Sequence, residues 1–259
     1  MIYNISSKDN KNLKLVRSLM RKSARVKEGL FVAEGRKIVS EAMDYAKDLV
    51  EFAVMSQTFC EKEKATAEKV QASTDVYVVP DHIFVGLCDT ETPQGVLVVL
   101  KLKKHSGELC GDEKNVLILD GISEPGNMGT IIRTAEALAF DKIYITKGSA
   151  DIYSPKTVRS TMGSLFRMNI CCDCDLNTVK DIQKNGFFIA ATTPQGKETL
   201  EEFKTPEKIG VVIGNEAHGV CDEIMAIADT TLKITMDGMA ESLNAGIAAG
   251  IVMYWIKNC

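Results

Sequence analysis

The most informative stretch of the sequence is Ile234-Thr-Met-Asp-Gly-Met-Ala-Glu-Ser-Leu-Asn-Ala245, where a polar loop leads directly into a predicted helix of small apolar residues. An earlier loop, Ile213-Gly-Asn-Glu-Ala-His-Gly219, also follows a short apolar run. Short apolar runs separated by helical stretches predict parallel strands that are buried on both faces. Sites in such sheets form where loops leave the carboxyl ends of the strands, so these two loops outline a site.

The same pattern divides the whole chain. Strands of the second half are predicted at 116–119, 143–145, 188–191, 211–213 and 232–234. The first half alternates helices at 10–21 and 36–46 with strands at 30–33, 52–55, 76–79 and 96–100. A polar, glycine-bearing stretch at 105–114 predicts a linker. We therefore expect two α/β domains, at 1–104 and 115–259.

Charge is distributed unevenly along the chain. Its 259 residues are 45% hydrophobic, enough for one large core or two modest ones, and the formal net charge of -4 excludes a uniformly basic nucleic-acid coat protein. Residues 1–37 nevertheless hold ten Lys or Arg against three acidic residues, a local net of +7. Such a segment favours contact with a polyanion. A solvated amphipathic helix is the alternative explanation.

The cysteines and the apolar stretches limit the class of protein. Eight cysteines show no spacing typical of a small disulfide-bonded domain, and no secretory signal is recognisable, so we expect a reducing cytoplasm. The cluster Cys171-Cys-Asp-Cys174 lacks a second ligand pair at zinc-finger distance and predicts a strand end rather than a metal site. The longest apolar stretch, 245–256, is too short to span a bilayer.

The first loop of the second half starts a helix. Pro125-Gly-Asn127 predicts a helix start with Asn127 as the N-cap, which would place Arg133 about one and a half turns further along. Arg133 is then near enough to join a site at that end of the helix. The commonest glycine motifs for binding nucleotides are absent. An NAD- or nucleotide-dependent enzyme on an ordinary doubly wound sheet is thereby disfavoured but remains an alternative.

Three stretches carry a family resemblance. They are Leu119-Asp-Gly-Ile-Ser-Glu-Pro-Gly-Asn-Met-Gly-Thr-Ile-Ile-Arg-Thr-Ala135 and the two loops at 213–219 and 234–245. In this order they resemble the three motifs of the SpoU/TrmH family of RNA ribose 2'-O-methyltransferases. The segment 155–166 is similar to the family's segment between the first two motifs. The segments 30–36 and 89–95 resemble its substrate-binding N-terminal domain, so the resemblance covers nearly the whole chain.

The resemblance implies an α/β fold of the SPOUT superfamily. Its C-terminal domain has a parallel sheet and a trefoil knot, and a small α/β RNA-binding domain precedes it. The implied cofactor is S-adenosylmethionine, held by Thr192, Gly214, Asn215, Ile234, Met236, Leu243 and Ala245. The acceptor hydroxyl would be surrounded by Asn127, Arg133, Glu216, Ser242 and Asn244. Because arginine seldom gives up its proton, we expect Arg133 to fix an RNA phosphate or to stabilise the developing alkoxide, with Asn127 and Glu216 holding it.

The N-terminal domain is expected to bind RNA. The candidate contacts are Arg17, Arg21, Lys22, Arg25, Arg36 and Arg159. Family members with such a domain tend to act on ribosomal RNA, so large-subunit ribosomal RNA is the expected substrate and a homodimer through the C-terminal domain the expected assembly. The alternatives are a tRNA 2'-O-methyltransferase and an inactive RNA-binding or ribosome-assembly protein of the same fold.

Overall fold

The computed structural model describes residues 1–103 and 107–258. The end of the predicted first domain and the first two residues of the predicted linker therefore lie outside the described residues. The chain forms two compact units, of which unit 1 comprises residues up to 103 together with Asp151–Arg167. Unit 2 comprises residues 107–150 and 168–258. The segment 151–167 thus interrupts unit 2 in sequence and packs with unit 1.

Unit 1 contains a mixed sheet, which in the described residues has five strands. These are β1 (Ile2–Asn4), β2 (Leu30–Glu34), β3 (Val50–Ser56), β4 (Val76–Val79) and β5 (Val96–Lys101). Their order is β1-β4-β3-β5-β2, with β4 parallel to β1 and β3, and β5 antiparallel to β3 and β2. The four strands predicted in this half are confirmed, and β1 is an addition at the edge.

The helices of unit 1 are short. They are α1 (Lys11–Ser18), α2 (Lys22–Glu28), α3 (Arg36–Tyr45), a 3-10 turn (Lys47–Leu49), α4 (Gln57–Lys62), α5 (Lys64–Gln71), α6 (Asp81–Val85), α8 (Pro155–Thr161) and α9 (Ser164–Arg167). Leu13 and Val16 of α1 are buried against the sheet, as the helical spacing of its apolar residues predicts. The single helix predicted at 10–21 is wrong in extent, because Leu19 closes α1 and Arg21 starts α2.

Unit 2 contains a parallel sheet, with seven strands in the described residues. They are β6 (Asn115–Leu119), β7 (Lys142–Thr146), β8 (Ile170–Cys174), β9 (Phe188–Thr192), β10 (Glu198–Thr199), β11 (Ile209–Ile213) and β12 (Thr230–Lys233), in the order β10-β12-β9-β11-β6-β7-β8. The helices are α7 (Pro125–Ala137), α10 (Leu176–Lys184), α11 (Asp222–Met225) and α12 (Ala245–Asn258). The predicted parallel sheet is confirmed.

Both faces of this sheet are covered. Val116 and Ile118 of β6 belong to one apolar cluster with α10, while the alternate residues Leu117 and Leu119 are fully buried on the opposite side. The cysteine cluster forms the edge strand β8. The described part of the predicted linker lies along this unit, where the Tyr144 hydroxyl donates to the Gly107 carbonyl. None of the helices within 1–103 and 107–258 is long and apolar enough to cross a membrane.

Candidate functional site

The polar loops of unit 2 meet at the carboxyl edge of its sheet. The central strands β9, β11 and β6 are neighbours and run in parallel, so the residues after Thr192, Ile213 and Leu119 emerge side by side. The residues that follow β12 leave the same edge one strand further along. This is the position at which the sequence pattern predicts a site.

Asp120 ties these loops together directly after β6. Its Oδ1 accepts a hydrogen bond from the Thr146 hydroxyl at 2.9 Å, and its Oδ2 accepts from the Cys221 backbone N–H at 2.8 Å. The side chain is buried, so both carboxylate oxygens have partners where water is scarce. Partial burial raises the pKa of the Cys221 thiol, and the neighbouring Asp120 carboxylate contributes in the same direction. Asp120 was not among the residues predicted for the site.

The loop after β11 is a tight fold held by Asn215. Asn215 and Gly219 exchange two backbone hydrogen bonds of 2.9 Å, and the Asn215 Oδ1 accepts from the N–H groups of Ala217 and His218. Its Nδ2 donates to the Gly121 carbonyl at 2.7 Å. A Cβ on Gly214 would lie 2.2 Å from the Gly219 carbonyl carbon, so this position requires glycine. The Asn215 side chain thus holds the loop in shape. A ligand beside this loop would meet its backbone groups.

A chain of hydrogen bonds links three of the predicted acceptor-site residues. The Asn127 Nδ2 donates to the Glu216 Oε1 at 2.6 Å, and the Asn244 Nδ2 donates to the Asn127 Oδ1 at 3.0 Å. The Asn244 Oδ1 accepts from the N–H groups of Gly246 and Ile247, which makes Asn244 the N-cap of α12. The Ser123 hydroxyl lies 3.5 Å from Glu216 at the other end of the chain. These bonds fix the 213–219 loop relative to both helices.

The start of α7 differs from the prediction. Glu124, not Asn127, is the N-cap, because its carboxylate accepts from the Asn127 N–H and Pro125 occupies the first helical position. Arg133 is therefore more than two turns into the helix and about 9 Å along its axis from Asn127. Its side chain is exposed, and among the described residues it has no hydrogen-bond or ion-pair partner. Asn127 and Glu216 are hydrogen-bonded to each other and not to Arg133, which they were predicted to hold.

The loops that follow β9, β11 and β12 line a cavity of about 420 Å³, which is in the size range of small-molecule sites. All the residues predicted to hold the cofactor line it: Thr192, Gly214, Asn215, Ile234, Met236, Leu243 and Ala245. Glu216 and Ser242 of the predicted acceptor site line it too, whereas Asn127, Arg133 and Asn244 do not. The structure thus brings most of the predicted site together around one cavity and leaves Arg133 apart from it.

The charge of this cavity is one-sided. Two carboxylates, Glu216 and Glu241, and the His218 side chain are its ionisable groups. No Lys or Arg is found among the described residues of its wall. The remaining wall combines aliphatic side chains, such as Ile213 and Leu232, with uncharged polar ones, such as Thr192. The cavity therefore favours a ligand with an apolar body and positive charge, and it disfavours a polyphosphate.

The predicted RNA contacts lie in unit 1 and differ in availability. Arg21 and Lys22 are exposed, and their side chains make no ion pair or hydrogen bond within the described part of the chain. Arg17 donates to the Lys8 carbonyl at 2.9 Å. Ion pairs engage the other two exposed or partly exposed candidates, Arg36 with Glu63 and Arg159 with Asp89. To contact RNA, each of these two arginines would have to leave its carboxylate partner and bind an RNA group in its place.

Arg25 has a structural role instead of the predicted RNA contact. Its side chain is only 5% exposed and pairs with Asp151 at 2.7 Å. The guanidinium also donates to the carbonyls of Leu19 and Met20, at 2.8 and 3.0 Å. A side chain so enclosed offers RNA no surface. It joins the segment 151–167 to the turn between α1 and α2 within unit 1.

Helix α12 packs closely on α7 through its small residues. A Cβ on Gly246 would lie 3.5 Å from the Thr130 side chain, and one on Gly250 would lie 3.9 Å from the Thr134 side chain. The close-range packing predicted from the small residues is thus present. Ile247, Ile251 and Tyr254 lie on the other side of α12 and are 39 to 62% exposed. We call these three residues the α12 face.

The site matches a known family. A model of the SpoU rRNA Methylase family matches residues 114–254, more than half of the chain. The chain belongs to the SpoU rRNA methylase family. A model of the MRM3-like substrate binding domain matches residues 10–98. The resemblance of the three motifs to the SpoU/TrmH family is therefore confirmed, as is the α/β class of both parts of the chain. The trefoil knot stays a prediction.

Individual relatives match along the full length. The chain is 29% identical to the "23S rRNA (guanosine(2553)-2'-O)-methyltransferase RlmP" of Bacillus subtilis (strain 168), covering 98% of each. It is 28% identical to an uncharacterized tRNA/rRNA methyltransferase of Synechocystis sp., covering 98% of this chain and 93% of the relative. Among solved structures, the AdoMet-bound rRNA methyltransferase from Sinorhizobium meliloti superposes with a TM-score of 0.86 at 27% identity, covering 98% of this chain and 97% of that one.

Proposed function

We propose that this SpoU-family chain transfers a methyl group from S-adenosylmethionine to a ribose 2'-hydroxyl of large-subunit ribosomal RNA. One observation carries the proposal: two of the three motif segments, 213–219 and 234–245, line a single cavity whose ionisable groups are two carboxylates and a histidine. A relative matched along its full length is named as a 23S rRNA 2'-O-methyltransferase, which supports this choice of RNA.

The cavity suits S-adenosylmethionine, which carries positive charge at its sulfonium and its ammonium. Glu216 and Glu241 supply the opposite charge, and the aliphatic wall suits the adenosine body. NAD or ATP would place phosphates among carboxylates without a cationic partner. The residues that would hold S-adenosylmethionine are Thr192, Gly214, Asn215, Ile234, Met236, Leu243 and Ala245, several of them through backbone atoms. Bound there, it supplies a methyl group activated by the neighbouring sulfonium.

The residues of the chain have separate tasks in this proposal. Asn127, Glu216 and Asn244 hold the 213–219 loop and the start of α12 in one arrangement, which keeps the cavity preorganised. Ser242 lies in the cavity wall beside Glu216 and orders the loop before α12. Arg133, exposed and without a partner among the described residues, binds the RNA phosphate or stabilises the developing alkoxide.

In the proposed function, unit 1 binds the sugar-phosphate backbone of the RNA. Arg21 and Lys22 present unpaired positive charge, and Lys8 and Lys11 extend the same basic segment. These contacts position the RNA without reading its sequence. We place the action of the protein in a reducing cytoplasm, because the spacing of its cysteines is not typical of a small disulfide-bonded domain.

We propose further that two copies associate through the α12 face. Exposed Ile247, Ile251 and Tyr254 form an apolar surface on a helix whose other side is already packed on α7. Arg133 is also exposed, on α7, the helix that α12 packs against. Tyr254→Glu is expected to shift the molecular mass in light scattering from dimer to monomer, and an unchanged mass would refute this interface.

The test is transfer of tritiated methyl from S-adenosylmethionine to unmodified large-subunit ribosomal RNA and, separately, to tRNA transcripts. Nuclease mapping then identifies the 2'-O-methyl position. Label in the ribosomal RNA alone is the expected result, and label in tRNA alone would overturn the choice of RNA. Label in neither, with S-adenosylmethionine bound, would favour a non-catalytic RNA-binding protein.

Arg133→Ala tests the proposed division of tasks. Because Arg133 does not line the cavity, the variant is expected to bind S-adenosylmethionine with unchanged Kd. Methyl transfer should fall by at least about a hundredfold, the usual loss for a group that stabilises the transition state. Isothermal titration and the tritium assay measure the two quantities. Wild-type activity in this variant would remove Arg133 from the mechanism.

A further inference from the structure

Unit 1 contains a second cavity that methyl transfer does not use. Its volume is about 250 Å³, and it lies where β3 ends, between the start of α3 and the segment before β5. The residues that matter for its chemistry are Arg36, Phe59, Lys62, Glu63, Asp81 and Gln94. Two of them, Arg36 and Gln94, belong to the segments 30–36 and 89–95 that resemble the family's N-terminal domain.

The polar groups of this cavity are held in defined positions. The Gln94 Oε1 accepts from the Arg36 backbone N–H at 2.8 Å, which leaves the side-chain amide N–H groups of Gln94 as donors. The Arg36 guanidinium pairs with the Glu63 carboxylate. The Thr58 hydroxyl donates to the Asp81 Oδ2 at 2.9 Å. Lys62 is exposed, and its side chain has no hydrogen-bond or ion-pair partner in the described ranges.

Asp81 is ionised at neutral pH. Partial burial acts to raise the pKa of its carboxyl group, but hydrogen bonds from Ser56 and Thr58 outweigh this and lower the pKa below its ordinary value. The cavity therefore presents two carboxylate acceptors, from Glu63 and Asp81, together with donors from Arg36, Lys62 and Gln94.

This mixture distinguishes between the parts of a nucleic acid. A phosphate offers only acceptors, so it would be attracted by Arg36 and Lys62 and repelled by Glu63 and Asp81. The edge of a nucleobase offers donors and acceptors side by side, which matches carboxylate, amide and guanidinium groups. The volume is also below the range of pockets for larger ligands, and it suits one planar group.

We propose that this cavity binds one unpaired base of the RNA substrate by its hydrogen-bonding edge. The inference rests on the proposed function, which supplies the RNA. Sequence-specific recognition of RNA takes place mainly at unpaired bases, which can be turned out of a helix or loop. Arg21 and Lys22 bind the backbone without regard to sequence, so a base site in unit 1 would give the chain a means of choosing its RNA.

Asp81→Asn tests the proposal, because a base and a phosphate predict opposite signs. If a base donates to Asp81, loss of the charged acceptor raises the Kd for RNA by about tenfold. If a phosphate lies there, removing the negative charge lowers the Kd. Glu61→Gln is the matched control, since Glu61 is exposed on α4, lies outside the cavity wall and changes the net charge equally.

The measurement is filter binding of the full chain to labelled, unmodified large-subunit ribosomal RNA transcript. Thermal unfolding verifies that each variant is folded, and the Thr58 hydroxyl is able to donate to an asparagine oxygen as well. Gln94→Leu is a second variant without change of charge, expected to raise the Kd about threefold to fivefold. It keeps the inference testable if Asp81→Asn does not fold.

The outcomes separate the inference from the proposed function. A higher Kd for Asp81→Asn, with Glu61→Gln unchanged or slightly tighter, supports a base site. Equal or tighter binding by both variants, while the wild type methylates the transcript, refutes the base site and leaves the function standing. A wild-type chain that neither binds nor methylates RNA refutes both.

Discussion

The hydrogen bond between Asn127 and Glu216 offers the most direct test of how the cofactor site is built. Asn127→Asp keeps the size of the side chain and the oxygen that accepts from Asn244, but it replaces the N–H donor with a second carboxylate. Glu216 is exposed, so the lost hydrogen bond costs about 1 kcal/mol, the middle of the range for an ordinary hydrogen bond in a protein. Two like charges about 4 Å apart in water cost about 1 kcal/mol more.

A total of about 2 kcal/mol corresponds to a roughly thirtyfold change in an equilibrium constant. The 213–219 loop must be in place for the cavity to exist, so this cost is paid when S-adenosylmethionine binds. Isothermal titration should therefore show a Kd up to about thirtyfold higher for Asn127→Asp. Asn177→Asp, at an exposed position near the start of α10, is the matched control and should leave the Kd unchanged. A rise below about threefold in the Asn127 variant would show that this bond does not position the loop.

Three further predictions concern the two units separately. Gly214→Ala should abolish binding of S-adenosylmethionine in the titration, because its Cβ has no space, at 2.2 Å from the opposing backbone. Arg25→Met leaves the carboxylate of a largely buried pair without its partner and should lower the free energy of unfolding by about 3 kcal/mol in urea titrations, whereas exposed Arg21→Met should not. Burial raises the pKa of the Cys174 thiol to about 12, whereas Cys172 is exposed. Iodoacetamide at pH 8 should therefore alkylate Cys172 before Cys174 in the folded protein. Mass spectrometry measures the two modifications, and it should find both cysteines equally modified when the protein is unfolded in urea.

The sequence predicted the structure best at strands that are buried on both faces and at the polar loops that follow them. Continuous apolar runs predicted five of the parallel strands of unit 2, because a strand buried on both faces has no polar alternation. The edge strand β8 follows a different pattern, with Cys172 and Asp173 exposed between buried ends, so it lacks that signal. The residues predicted to hold the cofactor, most of them in the motif loops, all line the cavity.

The errors arise where several polar residues compete for one role. Glu124 and Asn127 are both within reach of the start of α7, and Pro125 was the signal that decides between them, since proline favours the first helical position and makes the preceding residue the N-cap. Arg25 is one of ten basic residues in the segment 1–37, and nothing in the sequence around it distinguishes it from the exposed ones. Its partner Asp151 is 126 residues away, and local sequence carries no information on such a pair.

The chain of hydrogen bonds through Asn127 also bears on how the protein acquires its site during folding. Glu216 is 89 residues from Asn127, and Asn244 is 117 residues from it. Ordering these side chains requires the closure of two long segments, and the entropy lost in that closure is recovered only when both loops have docked. Parallel strands joined by helices impose the same delay on the sheet itself. We therefore expect the cavity to form late in folding, when the start of α12 has reached Asn127.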